Sequence, residues 1–130
     1  MWCLKRLKFV VAGFLLGAVC ASAGVQTPGS ASDSAFAPIS VADLPRQGAR
    51  TYGLIQQGGP FPHEKDGLVF ANRERLLPAR NRGYYREYTV MTPGSRDRGA
   101  RRIVCGGQTK APDICFYSDD HYASFRKIVH

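Results

Sequence analysis

Gly83-Tyr84-Tyr85-Arg86-Glu87-Tyr88-Thr89-Val90-Met91 is the stretch from which the fold can be read. Aromatic and β-branched residues suit a pleated, half-buried backbone, and successive side chains of a strand point to opposite faces. Tyr85, Glu87, Thr89 and Met91 therefore share one face, and Arg86, Tyr88 and Val90 the other. One face belongs to a core and the other is a working surface. Similar short runs lie at residues 68–70, 102–105, 114–117 and 125–129, punctuated by Pro93-Gly94, Gly106-Gly107 and Pro112-Asp113. Upstream, Asp43-Leu44-Pro45 offers an N-cap with proline near the first turn, and Gly58-Gly59-Pro60 offers a stop. A short helix is predicted over residues 45–57, with Ala49, Tyr52, Leu54 and Ile55 supplying its apolar side and Gly48 and Gly53 weakening it. A helix followed by a meander of strands is an α+β fold, with one N-terminal helix packed on a small antiparallel β-sheet.

At 130 residues the chain has a one-domain length. Residues 1–8 carry Lys5, Arg6 and Lys8 with no acid, residues 9–19 are almost wholly apolar, and Ala21-Ser22-Ala23 sets small residues at alternate positions. That is the order of a secretory signal peptide, and the apolar run is short of the ~20 residues that span a bilayer. Residues 1–23 are expected to be removed after Ala23. Residues 24–40, rich in Gly, Ser, Ala, Pro and Thr, read as a flexible mature N-terminus, and residues 41–130 as the working domain. Cys20 invites a lipoprotein reading, which Gly17-Ala18-Val19 does not support as a lipobox. The exported chain keeps Cys105 and Cys115, whose disulfide would close a hairpin around residues 106–112. Two thiols with no close histidine make a poor metal site.

Lysine and arginine number 18 against ten acids, a formal net charge of +8; three of the basic residues and no acid lie in the leader, leaving +5 on the mature domain. The surplus is local: Arg73, Arg75, Arg80, Arg82, Arg86, Arg96, Arg98, Arg101 and Arg102 fall in one stretch without a lysine. Planar guanidinium groups suit bidentate phosphate recognition, so a polyanionic partner is implied. On charge alone a noncatalytic basic RNA-binding or membrane-active secreted protein is the competing reading.

RNA carries its own nucleophile, the 2′-OH beside each phosphate. A protein need only take that proton, give one to the departing 5′-oxygen and stabilise charge on the phosphoryl oxygens, with no metal or other cofactor. One carboxylate, one imidazole and one or two guanidiniums suffice, and the chain holds Glu87, His121, Arg98 and Arg102. Singly these are weak signals. Together with Asp66-Gly67-Leu68-Val69-Phe70, Asn72-Arg73-Glu74, Leu77-Pro78, Thr92-Pro93-Gly94, Arg98-Gly99, Arg101-Arg102-Ile103 and Asp120-His121-Tyr122-Ala123-Ser124-Phe125, the segment from Gly59 to Phe125 resembles the secreted bacterial guanyl-specific ribonucleases. That is the microbial family with barnase, and the resemblance is closest to the Streptomyces enzymes.

The resemblance implies Glu87 as general base, His121 as general acid, and Arg98 and Arg102 as holders of the scissile phosphate in single-stranded RNA. It implies cleavage after guanosine through a 2′,3′-cyclic phosphate, and makes a barstar-like protein inhibitor a plausible partner of a monomeric enzyme. Phe70-Ala71-Asn72-Arg73-Glu74 resembles the family's guanine loop. There a buried Glu74 would accept the N1 and N2 protons of guanine while backbone N–H groups of Ala71, Asn72 and Arg73 serve O6 and N7. Phe70 and Tyr122 are candidates for stacking beside the base. Arg86, next to Glu87, is an extra cation expected to favour its charged form. The family's Streptomyces members tie their chain ends together by a disulfide, whereas the mature pair here is Cys105 and Cys115. His63 and His130 have bland readings, and Asn72, Tyr84 and Asp120 are expected to be structural supports.

Overall fold

The computed structural model describes Gly13 and residues 35–130. The leader expected over residues 1–23, Gly13 apart, and residues 24–34 of the expected tail lie outside the described residues. Among those described, no helix is long and apolar enough to cross a membrane.

Six strands form one sheet: β1 (Pro38–Ser40), β2 (Leu68–Val69), β3 (Tyr85–Thr89), β4 (Arg102–Gly106), β5 (Ile114–Ser118) and β6 (Arg126–Val129). Their order across the sheet is β1-β6-β5-β4-β3-β2. From β2 to β6 the pairs are antiparallel, each run of aromatic and β-branched residues hydrogen-bonding to the next. Two expectations are corrected at the N-terminus. β1 lies parallel to β6, with Ile39 opposite Ile128, so the sheet is mixed and residues 38–40 are not part of a flexible tail. Pro38 hides this strand from a propensity reading, yet proline is tolerated at the first residue of an edge strand. Just before it, the Phe36 ring packs 4.9 Å from that of Phe116.

The helix α1 (Arg46–Gln57) occupies the predicted span. Pro45 is its N-cap without a side-chain hydrogen bond, so Asp43 is not the cap; it lies in a 3-10 turn over Val41–Asp43 that Ser40 caps. Gly58, at φ 84°, ends the helix in the left-handed region, where glycine bears no Cβ penalty, and its N–H donates to the Ile55 carbonyl at 3.1 Å. The buried helix face is Gly48, Thr51, Tyr52 and Ile55 instead of one including Leu54. Thr51 fixes that rotation, because its hydroxyl donates to the Thr89 carbonyl at 3.2 Å and draws the helix onto β3.

Hydrophobic clusters lie on both faces of the sheet. Tyr52 and Ile55 pack with Tyr88, Val90, Ile103, Cys105, Cys115, Tyr117 and Ile128 beneath the helix. Leu77, Tyr85, Val104, Phe116 and Phe125 form the second cluster, with Phe70, Tyr84 and Tyr122 against it. The face of β3 that carries Glu87 is therefore half core as well as working surface. Cys105 and Cys115 stand directly opposite in the β4–β5 ladder, 4.1 Å apart at Cα, and form the disulfide that closes this hairpin.

Candidate active site

Alternation along β3 puts Glu87 and Thr89 on one face, and the loop entering β4 brings Arg98 across both. Arg98 Nη2 donates to Glu87 Oε1 at 2.9 Å, and Arg98 Nε donates to Thr89 Oγ1 at 2.6 Å. Gly99 follows at φ 65°, and a Cβ there would stand 2.4 Å from Thr92 Oγ1, so the loop needs a glycine at this point. The hydroxyl of Tyr122 donates to the other oxygen, Glu87 Oε2, at 2.8 Å. A carboxylate has about four lone-pair sites, so both oxygens retain acceptor capacity for a substrate proton. Arg86 is on the opposite face and donates from Nη1 to the Gly67 carbonyl at 2.8 Å. The cation in contact with Glu87 is therefore Arg98, and the expected influence of Arg86 is corrected by strand alternation.

Arg102, on the same face as Thr89 and Val104, is only 2% exposed. Its Nη1 donates to the Arg101 carbonyl at 2.7 Å, while its Nε is buried without a hydrogen-bond partner. The ion pairs among the described residues are Arg98–Glu87 and Arg126–Asp119, so the Arg102 charge has no carboxylate partner within ion-pair distance. A buried cation without a counter-charge is costly, and a bound anion would offset that cost. The guanidinium carbon lies 5.8 Å from the centre of the Tyr122 ring.

His121 and Tyr122 sit in the turn between β5 and β6, both in the left-handed region at φ 54° and 68°. Such backbone is strained for non-glycine residues and persists when its surroundings hold it. Asp120 is the centre of those surroundings: it accepts the Ser118 hydroxyl at 2.8 Å, the Ser124 N–H at 2.9 Å and the Ser124 hydroxyl. These bonds, the Ser124 hydroxyl foremost, hold its carboxyl below the usual carboxylate range. Ser118 Oγ in turn accepts the Tyr122 N–H at 3.0 Å, and the His121 N–H donates to the Ala100 carbonyl at 3.0 Å. The exposed His121 ring stands 5.1 Å from the Tyr122 ring, which links the imidazole side of the site to Glu87.

A cavity of about 460 Å³ opens beside these groups, lined by Phe70, Ala71, Asn72, Arg73 and Glu74 together with His121 and Tyr122. Phe70 and Tyr122 form its aromatic wall with ring centres 5.0 Å apart. Asn72, at φ 47°, shapes the loop: its side-chain amide donates to the Leu77 carbonyl at 2.9 Å and accepts the Leu77 N–H at 3.1 Å. The N–H groups of Ala71, Asn72 and Arg73 donate to no acceptor among the described residues. Glu74 is exposed rather than buried, so a base would have to cover its carboxylate on binding.

The structure thus brings Glu87, Arg98, Arg102 and His121 around Tyr122, with the 70–74 loop alongside. Sequence reasoning missed Thr89 as an anchor for Arg98 and Tyr122 as a donor to Glu87. The first was detectable from the shared face of residues 87 and 89, whereas the second depends on left-handed backbone with no glycine to announce it. His130 keeps its bland reading, its Nε2 lying 3.1 Å from the Tyr52 hydroxyl.

The ribonuclease family's model matches residues 27–129. The chain belongs to the ribonuclease family. This ribonuclease is 53% identical over 98 residues to guanyl-specific ribonuclease Sa3 of Kitasatospora aureofaciens, covering 75% of this chain and 67% of that protein. It is 52% identical over 96 residues to guanyl-specific ribonuclease St of Saccharopolyspora erythraea, covering 74% and 91%. Among solved structures it is similar to ribonuclease Sa2 in complexes with mononucleotides, with a TM-score of 0.68 and 46% identity over 73% of this chain and 95% of that one. A crystal structure of ribonuclease Sa2 with guanosine-2′-cyclophosphate matches with a TM-score of 0.66 and 46% identity, over 72% and 96%.

Proposed function

We propose that this ribonuclease cleaves single-stranded RNA on the 3′ side of guanosine by acid–base transphosphorylation. The observation that carries the reading is the convergence of Glu87, Arg98, Arg102 and His121 around Tyr122, at the mouth of the cavity lined by residues 70–74. Glu87 takes the 2′-OH proton, the 2′-oxygen bonds to phosphorus, and the bond from phosphorus to the 5′-oxygen breaks as His121 protonates that oxygen. Arg98 and Arg102 hold the charge on the phosphoryl oxygens. In the second step His121 takes a proton from water, whose oxygen bonds to the phosphorus of the 2′,3′-cyclic phosphate, and the bond from phosphorus to the 2′-oxygen breaks as Glu87 returns a proton to that oxygen, leaving a 3′-phosphate. Guanine is read by Glu74, which accepts its N1 and N2 protons, and by the free N–H groups of residues 71–73; adenine would leave that acceptor unpaired. DNA, lacking the 2′-OH, would bind without being cut.

The leader-like residues 1–23 support export of the enzyme, and an acidic inhibitor of the barstar type fits its arginine-rich stretch from Arg73 to Arg102. The test is to incubate the protein with a defined single-stranded RNA in excess EDTA and to map every new end. Cyclic phosphates on guanosine are expected, and Glu87→Ala and His121→Ala should each lower kcat/KM by about a hundredfold or more while leaving the fold intact. Intact RNA, cuts after other bases, or near-normal turnover in either variant would overturn the reading.

A further inference from the structure

The helix and the segment that follows it enclose a space that the candidate active site does not use. A pocket of about 410 Å³ lies between α1, residues 60–63 and the end of β3. Small organic ligands occupy pockets of roughly 300 to 1,000 Å³. None of Glu87, Arg98, Arg102 and His121 lines this one, and it shares no residue with the cavity of the 70–74 loop.

Each wall is pinned to β3. The Thr51 hydroxyl donates to the Thr89 carbonyl at 3.2 Å and fixes the helix. Asp66 fixes the loop, its Oδ1 accepting the Thr89 N–H at 2.7 Å and its Oδ2 the His63 N–H at 3.3 Å. Between these anchors the Phe61 ring centre stands 5.0 Å from that of Tyr88, and a Cβ on Gly59 would come within 3.1 Å of the same ring. The pocket therefore has its shape before anything binds.

Its lining selects the ligand. Leu54, Pro60, Phe61, Pro62 and Met91 make the walls apolar, and Met91 is 56% exposed, more than any other large hydrophobic residue among those described. A phenylalanine ring and a thioether both favour an aromatic partner. No acid lines the pocket. Arg50, exposed on α1 at the rim, has no carboxylate within ion-pair distance among the described residues. A planar guanidinium in that position matches a carboxylate, whose two oxygens it can hold together.

We propose that this pocket binds a small aromatic carboxylate, with its ring against Phe61 and Met91 and its carboxylate on Arg50. The site is distinct from the one that acts on RNA and does not rest on the cleavage reading.

The test titrates the protein with 2-naphthoate, with its neutral counterpart 2-naphthylmethanol and with octanoate at one fixed ionic strength, following backbone amide shifts by NMR. 2-Naphthoate should shift the amides of Thr51, Phe61 and Met91 and leave those of residues 71–74 in place. It should bind about tenfold more tightly than the alcohol, the scale of one charge-assisted hydrogen bond, and more tightly than octanoate. Arg50→Gln should remove the preference for the carboxylate and keep the affinity for the alcohol within about twofold. Met91→Asp, a change at an exposed position, should weaken both naphthalene ligands. The site would be overturned by shifts confined to residues 71–74, by no saturable shift with any ligand, or by octanoate binding as tightly as 2-naphthoate. A carboxylate preference that survives Arg50→Gln, or unchanged binding in Met91→Asp, would overturn it equally.

Discussion

Tyr122 is the residue through which the site is held together. Its hydroxyl donates to Glu87, its ring lies against Phe70, and the Arg102 guanidinium stands over it. Burial first, and then the bond to Glu87, push its phenol up to about 12. It therefore remains a donor toward Glu87 throughout the neutral range. Tyr122→Phe keeps the ring and removes only that donor. Loss of a hydrogen bond to a charged acceptor, about 1.5 kcal/mol, predicts a fall of about tenfold in kcat/KM on guanosine-containing RNA. A second consequence follows from linkage. The folded phenol holds its proton above the ordinary value of 10.0, so its contribution to stability is complete below pH 10 and is lost as pH rises toward about 12. Urea unfolding between those pH values should show that loss in the parent protein and a flatter profile in Tyr122→Phe; parallel profiles would contradict it.

The strands from β2 to β5 were legible because each apolar run adjoins glycine or proline, so propensity and turn chemistry agree, whereas β6 was legible from its own run at residues 125–129 after the polar stretch Ser118-Asp119-Asp120. β1 was not, because Pro38 opens a three-residue strand whose partner is at the other end of the chain. The catalytic candidates were legible mainly through resemblance, since strand alternation explains the meeting of Glu87 and Arg98 with Thr89 but gives no hint of the turn that carries His121 and Tyr122. The β4–β5 hairpin was legible down to its disulfide, which joins opposite residues that belong to the buried cluster beneath the helix. Closing a loop this short stabilises by about 2 to 3 kcal/mol in the chain-entropy model. Cys105→Ala/Cys115→Ala should therefore lower the unfolding free energy by about that amount, or more if the buried cluster does not close over the lost sulfurs. Denaturant unfolding would measure it, and an unchanged midpoint would mean that the hairpin is held by the sheet ladder alone.

Across the whole molecule, β1 and β6 bring the two ends of the described chain side by side, and this pairing covers the edge of the sheet farthest from the 70–74 loop. The consequence is a division of labour: the β1 edge and the helix secure the core, while β3, the 70–74 loop and the β5–β6 turn hold the residues proposed to carry the chemistry. Ile39 is 5% exposed and belongs to the same cluster as Tyr52, Tyr88 and Ile128. Burying such a side chain stabilises by roughly 1.5 to 3 kcal/mol, to which the parallel ladder adds its hydrogen bonds. A chain beginning at Val41 should thus be less stable than one beginning at Gly24 by about 2 kcal/mol or more. The two should differ little in cleavage rate under conditions where both are folded, because β1 lies at the opposite edge of the sheet from β2 and β3. Paired urea melts and initial rates on one guanosine-containing RNA test both halves of that statement. Equal melts would make residues 38–40 a dispensable attachment, whereas a fall in rate at full folding would show that the closed edge also sets the geometry around Glu87.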